Sequence, residues 1–300
     1  MSKIQDALQR FQAGNPRRAG NRAERIAPRV DISTTETSVL SANEVVDIDL
    51  DALRDAGLLA SKKDEKQMTN QFRDIKRPLI ASALGRRGTK VDDGNLIVVT
   101  SAISGEGKTF MSLNIALSIA REQDLSVLLV DADVAKPHIS NVFGLSESPG
   151  LLDLLDGTSS QLEDVVYPTN VDGMCILPAG VPRQDASELL SGSRMENLVR
   201  RFADQDPNRF IIFDTPPLLQ SSESKVILGI AGQVVLVVKA ESTTQGTVGH
   251  ALQELDDRKA VNLVLNQARA NENNQYSYGY GNEMKDVTPT GTSKESVFDP

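Results

Sequence analysis

The chain has 300 residues, 39% of them hydrophobic, which is enough for one sizeable α/β domain with tails or for two small domains. A formal net charge of −9 argues against a nucleic-acid-binding protein overall. The single cysteine, Cys175, excludes an internal disulfide and fits a reducing cytoplasm, and two histidines are too few for a His-rich metal site.

Residues 1–66 are polar and weakly periodic, so they read as a largely disordered N-terminal region with a short helix within 49–59. The arm 1–29 is basic and reads as a solvated tail; contact with an anionic surface is the alternative. From 69 to 83 the spacing of Phe72, Ile75 and Leu79 predicts a helix, which Pro78 kinks or restarts. Arg73, Lys76 and Arg77 give that helix a basic cluster, either a solvated face or a contact surface. Apolar runs then alternate with helical stretches. Strands are predicted at 96–100, 127–131, 174–177, 210–214, 234–238 and 261–265, and helices at 110–121, 186–202, 222–231 and 247–257. Asp185 is the expected N-cap of the second of these helices, with Glu188 three residues on. Continuous apolar strands separated by helices predict an α/β fold with a mostly parallel sheet covered on both faces. The longest apolar stretch, 226–238, contains Gln233 and two glycines and is too short to span a bilayer as a helix. No secretory-signal pattern is read at the N-terminus. After Asn271 the apolar pattern stops, and a flexible tail is expected.

The stretch Leu96–Thr109, LIVVTSAISGEGKT, has the order strand, small-residue loop, helix that defines a phosphate-binding loop. Gly105 and Gly107 let backbone N–H groups face a phosphate with no Cβ in the way. Lys108 supplies positive charge to β- and γ-phosphates, and the Thr109 hydroxyl can ligate Mg2+. The start of the following helix adds partial positive charge. Ser104, Gly105, Glu106, Gly107, Lys108, Thr109 and Phe110 are therefore the candidate nucleotide-binding segment. One position departs from the usual pattern: its first glycine is Ala102.

Two predicted strands run into acids. One ends in Asp131-Ala132-Asp133 and the other in Asp214-Thr215-Pro216-Pro217. Ligand sites in parallel sheets form at the carboxyl ends of strands, so the loop and these acids can converge. Mg2+ takes one or two carboxylates plus phosphate oxygens and water. Thr109, Asp133 and Asp214 are the candidate metal ligands. Lys108, Asp131 and Asp133 are the candidate catalytic residues, one of the two acids positioning the metal or taking a proton from an attacking hydroxyl. The chain has four tyrosines, and Tyr276, Tyr278 and Tyr280 fall together in the tail. A phosphotransfer site beside a loose tyrosine cluster suggests autophosphorylation. The alternative is a low-complexity tail with chance tyrosines.

With these residues in place, the chain resembles the bacterial tyrosine kinases of exopolysaccharide systems, the nearest subgroup being the exosortase-associated tyrosine autokinases. The resemblance runs from about Asp47 to Gly281 through LDALRDAGLL, QFRDIKRPLI, TSAISGEGKTF, VLLVDADVAKP, LPAG, ELL, FDTPPLL, GQVVLVV and YSYGYG. It implies a Walker A loop at 102–109, Walker A′ acids Asp131 and Asp133, and a Walker B acid Asp214. It also implies an oligomerisation element at Gln71-Phe72-Arg73, through Phe72 and Arg73, with Gln71 where the family has Glu. Asn266 falls where related folds contact adenine, and Lys136 stands where Arg is frequent. Septum-site and partition ATPases carry a second lysine after the Ala102 position, whereas this chain has Ile103.

The expectation is a P-loop kinase domain over 67–270 with an N-terminal oligomerisation helix, and a tyrosine-bearing tail over 271–300. The activity expected is ATP- and Mg2+-dependent autophosphorylation of Tyr276, Tyr278 and Tyr280, in trans within a ring-like homo-oligomer. The implied setting is cytoplasmic, with no transmembrane segment of its own and no nucleic-acid partner. A membrane-anchored polysaccharide chain-length or export partner would recruit it to the inner face of the membrane. The alternatives are a partition-type P-loop ATPase acting as a nucleotide switch, and a regulator that binds nucleotide without catalysis.

Overall fold

The computed structural model describes residues 45–86, 90–159, 161–206, 208–256 and 259–268. The strands are β1 (Leu96–Ser101), β2 (Ser126–Asp131), β3 (Tyr167–Pro168), β4 (Met174–Leu177), β5 (Arg209–Asp214), β6 (Gln233–Lys239) and β7 (Ala260–Asn266). They form one seven-stranded sheet in the order β3-β4-β2-β5-β1-β6-β7, parallel throughout except for the β3–β4 pair. This is the mostly parallel α/β sheet that the continuous apolar runs predict.

Each central strand buries both faces because most of its residues are apolar. Ile97, Val99, Val127, Leu129, Phe210, Ile212, Val235 and Val237 point into one layer. Leu96, Val98, Leu128, Val130, Ile211, Phe213, Val234 and Leu236 point into the other. The first layer is covered by α2 (Glu65–Leu84) and α3 (Lys108–Ala120), together with α1 (Leu50–Asp55) and α4 (His138–Val142). The second is covered by α5 (Leu151–Asp156), α6 (Ala186–Ser191), α7 (Ser193–Gln205), α8 (Ser222–Ile230) and α9 (Gln245–Gln253). No helix among the described residues is long and apolar enough to cross a membrane.

Four local expectations are corrected. Residues 45–66 are not an unstructured leader: Val46 N–H donates to Pro168 O at 2.8 Å, and Val46, Ile48 and Leu53 are buried. Asp49 caps α1, its Oδ1 accepting from Asp51 N at 2.9 Å and Ala52 N at 3.0 Å. Pro78 lies inside a helix that continues on both sides of it, so the helix does not restart there, and α2 stops only at Gly85, in the left-handed region at φ 67°. The helix expected over 186–202 is two helices, broken at Gly192 with φ −81° and ψ 159°, and the Asp185 side chain makes no capping hydrogen bond. Finally, α2 does not present its whole basic cluster to solvent. Lys76 is buried, donating to Ser118 O and pairing with Glu122 at 2.8 Å.

Phe72 and Arg73, the pair on α2 expected to take part in oligomerisation, divide in the same way. Phe72 is 4% exposed and packs against Phe110 of α3, with ring centroids 6.0 Å apart at 53°. Arg73 is exposed. Phe72 is thus committed to its own chain's core, and of the two only Arg73 is exposed. Phe72→Ala is expected to lower the unfolding free energy by about 3–4 kcal/mol through lost burial and an unfilled cavity. Arg73→Ala is expected to stay within about 0.5 kcal/mol of the parent. Urea titrations with an unchanged m-value measure both, and comparable losses in the two variants would contradict this division of α2.

Candidate active site

β2, β5 and β1 lie side by side, and their carboxyl ends converge on the loop 102–107. Asp131 and Asp214 are register partners at the ends of β2 and β5. The loop leaves β1 through fully buried Ala102 and rises to an exposed tip at Ser104 and Gly105. Gly105 and Gly107 have φ of 86° and 93°, a conformation L side chains rarely adopt. A Cβ on Gly105 would meet nothing within 4 Å, whereas one on Gly107 would lie 2.1 Å from Asn266 Nδ2. Gly105 is therefore required by its backbone conformation alone, and Gly107 by conformation and close approach together. Ala102, at the position usually held by glycine, packs among Val98, Ala132 and Leu236 and is not among the positive-φ residues, so its methyl group is accommodated in the core.

α3 starts at Lys108 and carries the polar face of the site. Lys108 Nζ donates to Asp133 Oδ2 at 2.7 Å, both groups being buried. Thr109 Oγ donates to Asp214 Oδ2 at 2.7 Å, and Ser112 Oγ donates to Asp214 Oδ1 at 2.9 Å. Asp131 takes both of its donors on one oxygen: Ser140 N–H and Oγ–H reach Oδ2 at 2.8 and 2.7 Å. Its other oxygen, Oδ1, is buried and has no hydrogen-bond partner. Ser140 Oγ in turn accepts from Ala179 N–H at 2.9 Å, which ties Asp131 to the loop after β4.

These charges perturb one another. Burial pushes the Asp131 carboxyl up to about 7, and the nearby Asp214 charge adds to the effect. Asp214 is likewise raised by burial, against the opposing pull of Lys108 and the Thr109 and Ser112 hydroxyls. Burial works to lower Lys108, but the Asp214 and Asp133 carboxylates hold it above the ordinary lysine value. The oxygens of Thr109, Asp133 and Asp214 are hard donors of the kind Mg2+ takes together with phosphate oxygens and water, while no group of three or more acids, histidines or cysteines among the described residues is placed to hold a metal by itself.

Other predicted residues have different surroundings. The Glu106 side chain turns inward, away from the exposed loop tip, and is 1% exposed. Asn266 lies against the loop: its Nδ2 donates to Glu106 O at 2.8 Å, and its Oδ1 accepts from Gln267 N at 2.9 Å. Phe110 faces Phe72 rather than the loop. Tyr276, Tyr278 and Tyr280 lie outside the described residues. Sequence reasoning missed Ser112 and Ser140. The signal for Ser112 was available, since it sits four residues after Lys108 and so shares its helix face.

The chain belongs to the ParA family of P-loop NTPases: the family profile, described as NUBPL iron-transfer P-loop NTPase, matches residues 93–263, more than half of the chain. Among its relatives, YwqD of Bacillus subtilis, a tyrosine-protein kinase, is 29% identical over 75% of this chain and 91% of its own. EpsB of Ralstonia solanacearum, provisionally named a tyrosine-protein kinase, is 36% identical over 62% of this chain, which spans only 24% of EpsB's length. The crystal structure of the VpsO kinase domain superposes with a TM-score of 0.58 at 33% identity, over 70% of this chain and 100% of that one.

Asp131 gives the site a pH signature in the nucleotide-free protein. Its folded-state pKa, about 7, is raised above the ordinary 3.8. The stabilisation attached to the protonated form is complete below the unfolded value and is lost as pH rises to about 7. At about 1.4 kcal/mol per unit, up to about 4 kcal/mol is withdrawn over that span. Asp131→Asn cannot ionise, and its carbonyl oxygen can still accept from Ser140. Its stability relative to the parent is therefore expected to improve from about pH 5 to about pH 8, as read by urea titration. An unchanged pH dependence in this variant would assign the effect to another group.

Proposed function

We propose that the chain is an ATP-dependent protein-tyrosine kinase of the bacterial phosphate-loop type. One observation carries the reading: Lys108, Thr109, Asp131, Asp133 and Asp214 meet in a single buried cluster under an open, glycine-bearing loop. Lys108 neutralises β- and γ-phosphate charge once nucleotide replaces Asp133 as its partner. Thr109, Asp133 and Asp214 would hold Mg2+, which would supply charge neutralisation at the phosphate oxygens. A tyrosine oxygen forms the new bond to the γ-phosphorus, the bond from that phosphorus to ADP breaks, and the phenolic proton passes to Asp131 or Asp133. A carboxyl group titrating near neutral pH is suited to accept that proton.

The acceptors proposed are Tyr276, Tyr278 and Tyr280 of a neighbouring copy, reached within a ring-like homo-oligomer that uses Arg73. The setting proposed is the cytoplasm, against the inner membrane face, on a membrane-anchored partner of polysaccharide export. Membership of the ParA family also admits a nucleotide switch of the partition type. Ile103, where those ATPases place a second lysine, and the named kinases among the relatives favour the phosphotransfer reading.

Lys108→Ala and Asp214→Asn are each expected to reduce phosphotransfer by at least roughly 10²-fold, because both groups act on charge at the transferring phosphoryl. Labelled ATP, with circular dichroism as the folding control, measures this. Activity near the parent's in either well-folded variant sinks the site assignment.

The combined change Y276F/Y278F/Y280F is expected to remove most incorporated phosphate while sparing ATP binding. Each phosphate adds about −1.5 to −2 charges to a chain already at −9, so modification should loosen assembly. Mass-spectrometric mapping and sedimentation of the parent and Arg73→Ala read the two halves separately. Phosphate found mainly on Tyr167 or on serines contradicts the acceptor assignment. Unchanged assembly of Arg73→Ala with ATP and Mg2+ contradicts the role given to α2.

A further inference from the structure

Glu106 places a carboxylate in a loop whose ligand is anionic. That position is electrostatically adverse unless the acid faces elsewhere and is fully satisfied. Both conditions hold. The side chain is 1% exposed, and each carboxylate oxygen is engaged. Oε2 accepts from Ile103 N–H at 2.8 Å, within the loop itself. Oε1 accepts from Lys239 N–H at 3.3 Å and from the Thr243 hydroxyl, at the end of β6 and in the β6–α9 connection. The backbone of the same residue takes a further bond, its carbonyl accepting from Asn266 at the end of β7.

The neighbours of Glu106 explain why such a fastening is needed. Gly105 and Gly107, both at positive φ, give the loop its shape but offer no side chain to hold it there. The β6–α9 connection is itself a fixed anchor, because Thr244 caps α9 by accepting from Thr247 N–H at 3.1 Å. The loop is therefore held through the buried Glu106 carboxylate to a segment more than 130 residues away in sequence.

We propose that Glu106 is a positioning residue that fastens the phosphate loop to the β6–α9 connection in its binding shape, without touching nucleotide, and that Thr243 is its partner in this role. The proposal rests on the nucleotide-binding reading of the loop. It predicts a specific kinetic pattern. Releasing the fastening leaves the loop to be ordered at the moment of binding, which weakens affinity. Lys108, Thr109 and the three aspartates are untouched, so turnover at saturating ATP changes much less.

The test is Mg-ADP binding by calorimetry on the full chain, with KM and kcat for ATP, for the parent, E106A, E106Q, T243V and E106A/T243V. E106A is expected to lose roughly tenfold or more in affinity, since two buried N–H groups and a hydroxyl lose a charged acceptor. Any loss in its kcat is expected to be smaller than its loss in affinity. E106Q is expected to recover part of the affinity, because its carbonyl oxygen can accept from Ile103 and its amide can donate to Thr243 Oγ, while the Lys239 N–H loses its acceptor. T243V is expected to weaken binding alone and to add nothing in the E106A background. Parent-like affinity in folded E106A, a loss confined to kcat, or full additivity of the two changes overturns the proposal. Should E106A not fold, parent-like affinity in folded T243V, whose side chain is only partly buried, overturns it instead. A parent protein that binds no nucleotide refutes the underlying site reading, a result distinct from all of these.

Discussion

The structure is organised around an imbalance of buried charge. Asp131, Asp133 and Asp214 are buried at the ends of β2 and β5, and the cation set among them is Lys108. Carboxylates withdrawn from water raise one another's pKa unless donors or cations answer them. Here the answers are individually identifiable: Lys108 for Asp133, Thr109 and Ser112 for Asp214, Ser140 for Asp131. The remainder is visible as Asp131, half satisfied and raised to about 7. A site with surplus negative charge and hard oxygen donors favours a divalent cation, and through it an anionic ligand.

Such an arrangement needs a scaffold that does not yield to it. β1, β2 and β5 are buried from end to end, or nearly so, and paired on both sides. Their acids cannot swing toward water without breaking the sheet ladder. The helix start at Lys108 contributes in the opposite sense, since its partial positive charge and free N–H groups face the same region. Stability and the proposed function therefore pull against each other at Asp131: neutralising it favours the fold, and its charged form is the one that would accept a proton.

Much of this was legible in the sequence, for physical reasons. Strands buried on both faces must be continuous apolar runs, and acids at the ends of two of them stand out. Glycines at 105 and 107 followed by Lys-Thr mark a loop whose chemistry is local. The contacts that escaped notice join residues far apart in the chain. Glu106 meets Thr243 137 residues later, Asn114 Nδ2 donates to Leu58 O across 56 residues, and Phe72 meets Phe110. Buried polar fastenings have no period, so no local pattern announces them. Gly192 was passed over for a related reason. The flanking apolar positions keep helical spacing across the break, and only the extended backbone at the glycine separates α6 from α7. The region 1–66 reads as polar on average, yet its 45–59 stretch is mostly apolar, with Val46, Ile48, Leu53 and Ala56 buried, and the short helix expected within 49–59 is present as α1.

The placement of α2 bears on how assembly and chemistry would be connected. The helix that carries exposed Arg73 lies directly on the helix that carries Lys108 and Thr109. Phe72 against Phe110 and Lys76 against Ser118 O and Glu122 join them at opposite ends of α3. Phe110 immediately follows Thr109 in the chain. A force exerted at Arg73 by the proposed assembly would reach the start of α3 through contacts that include this aromatic pair, and its far end through contacts that include the buried ammonium. Close-packed interiors transmit small displacements rather than absorb them. The same packing that removes Phe72 from the surface therefore makes it the mechanical link by which the proposed contact at Arg73 would bear on the phosphate-binding helix.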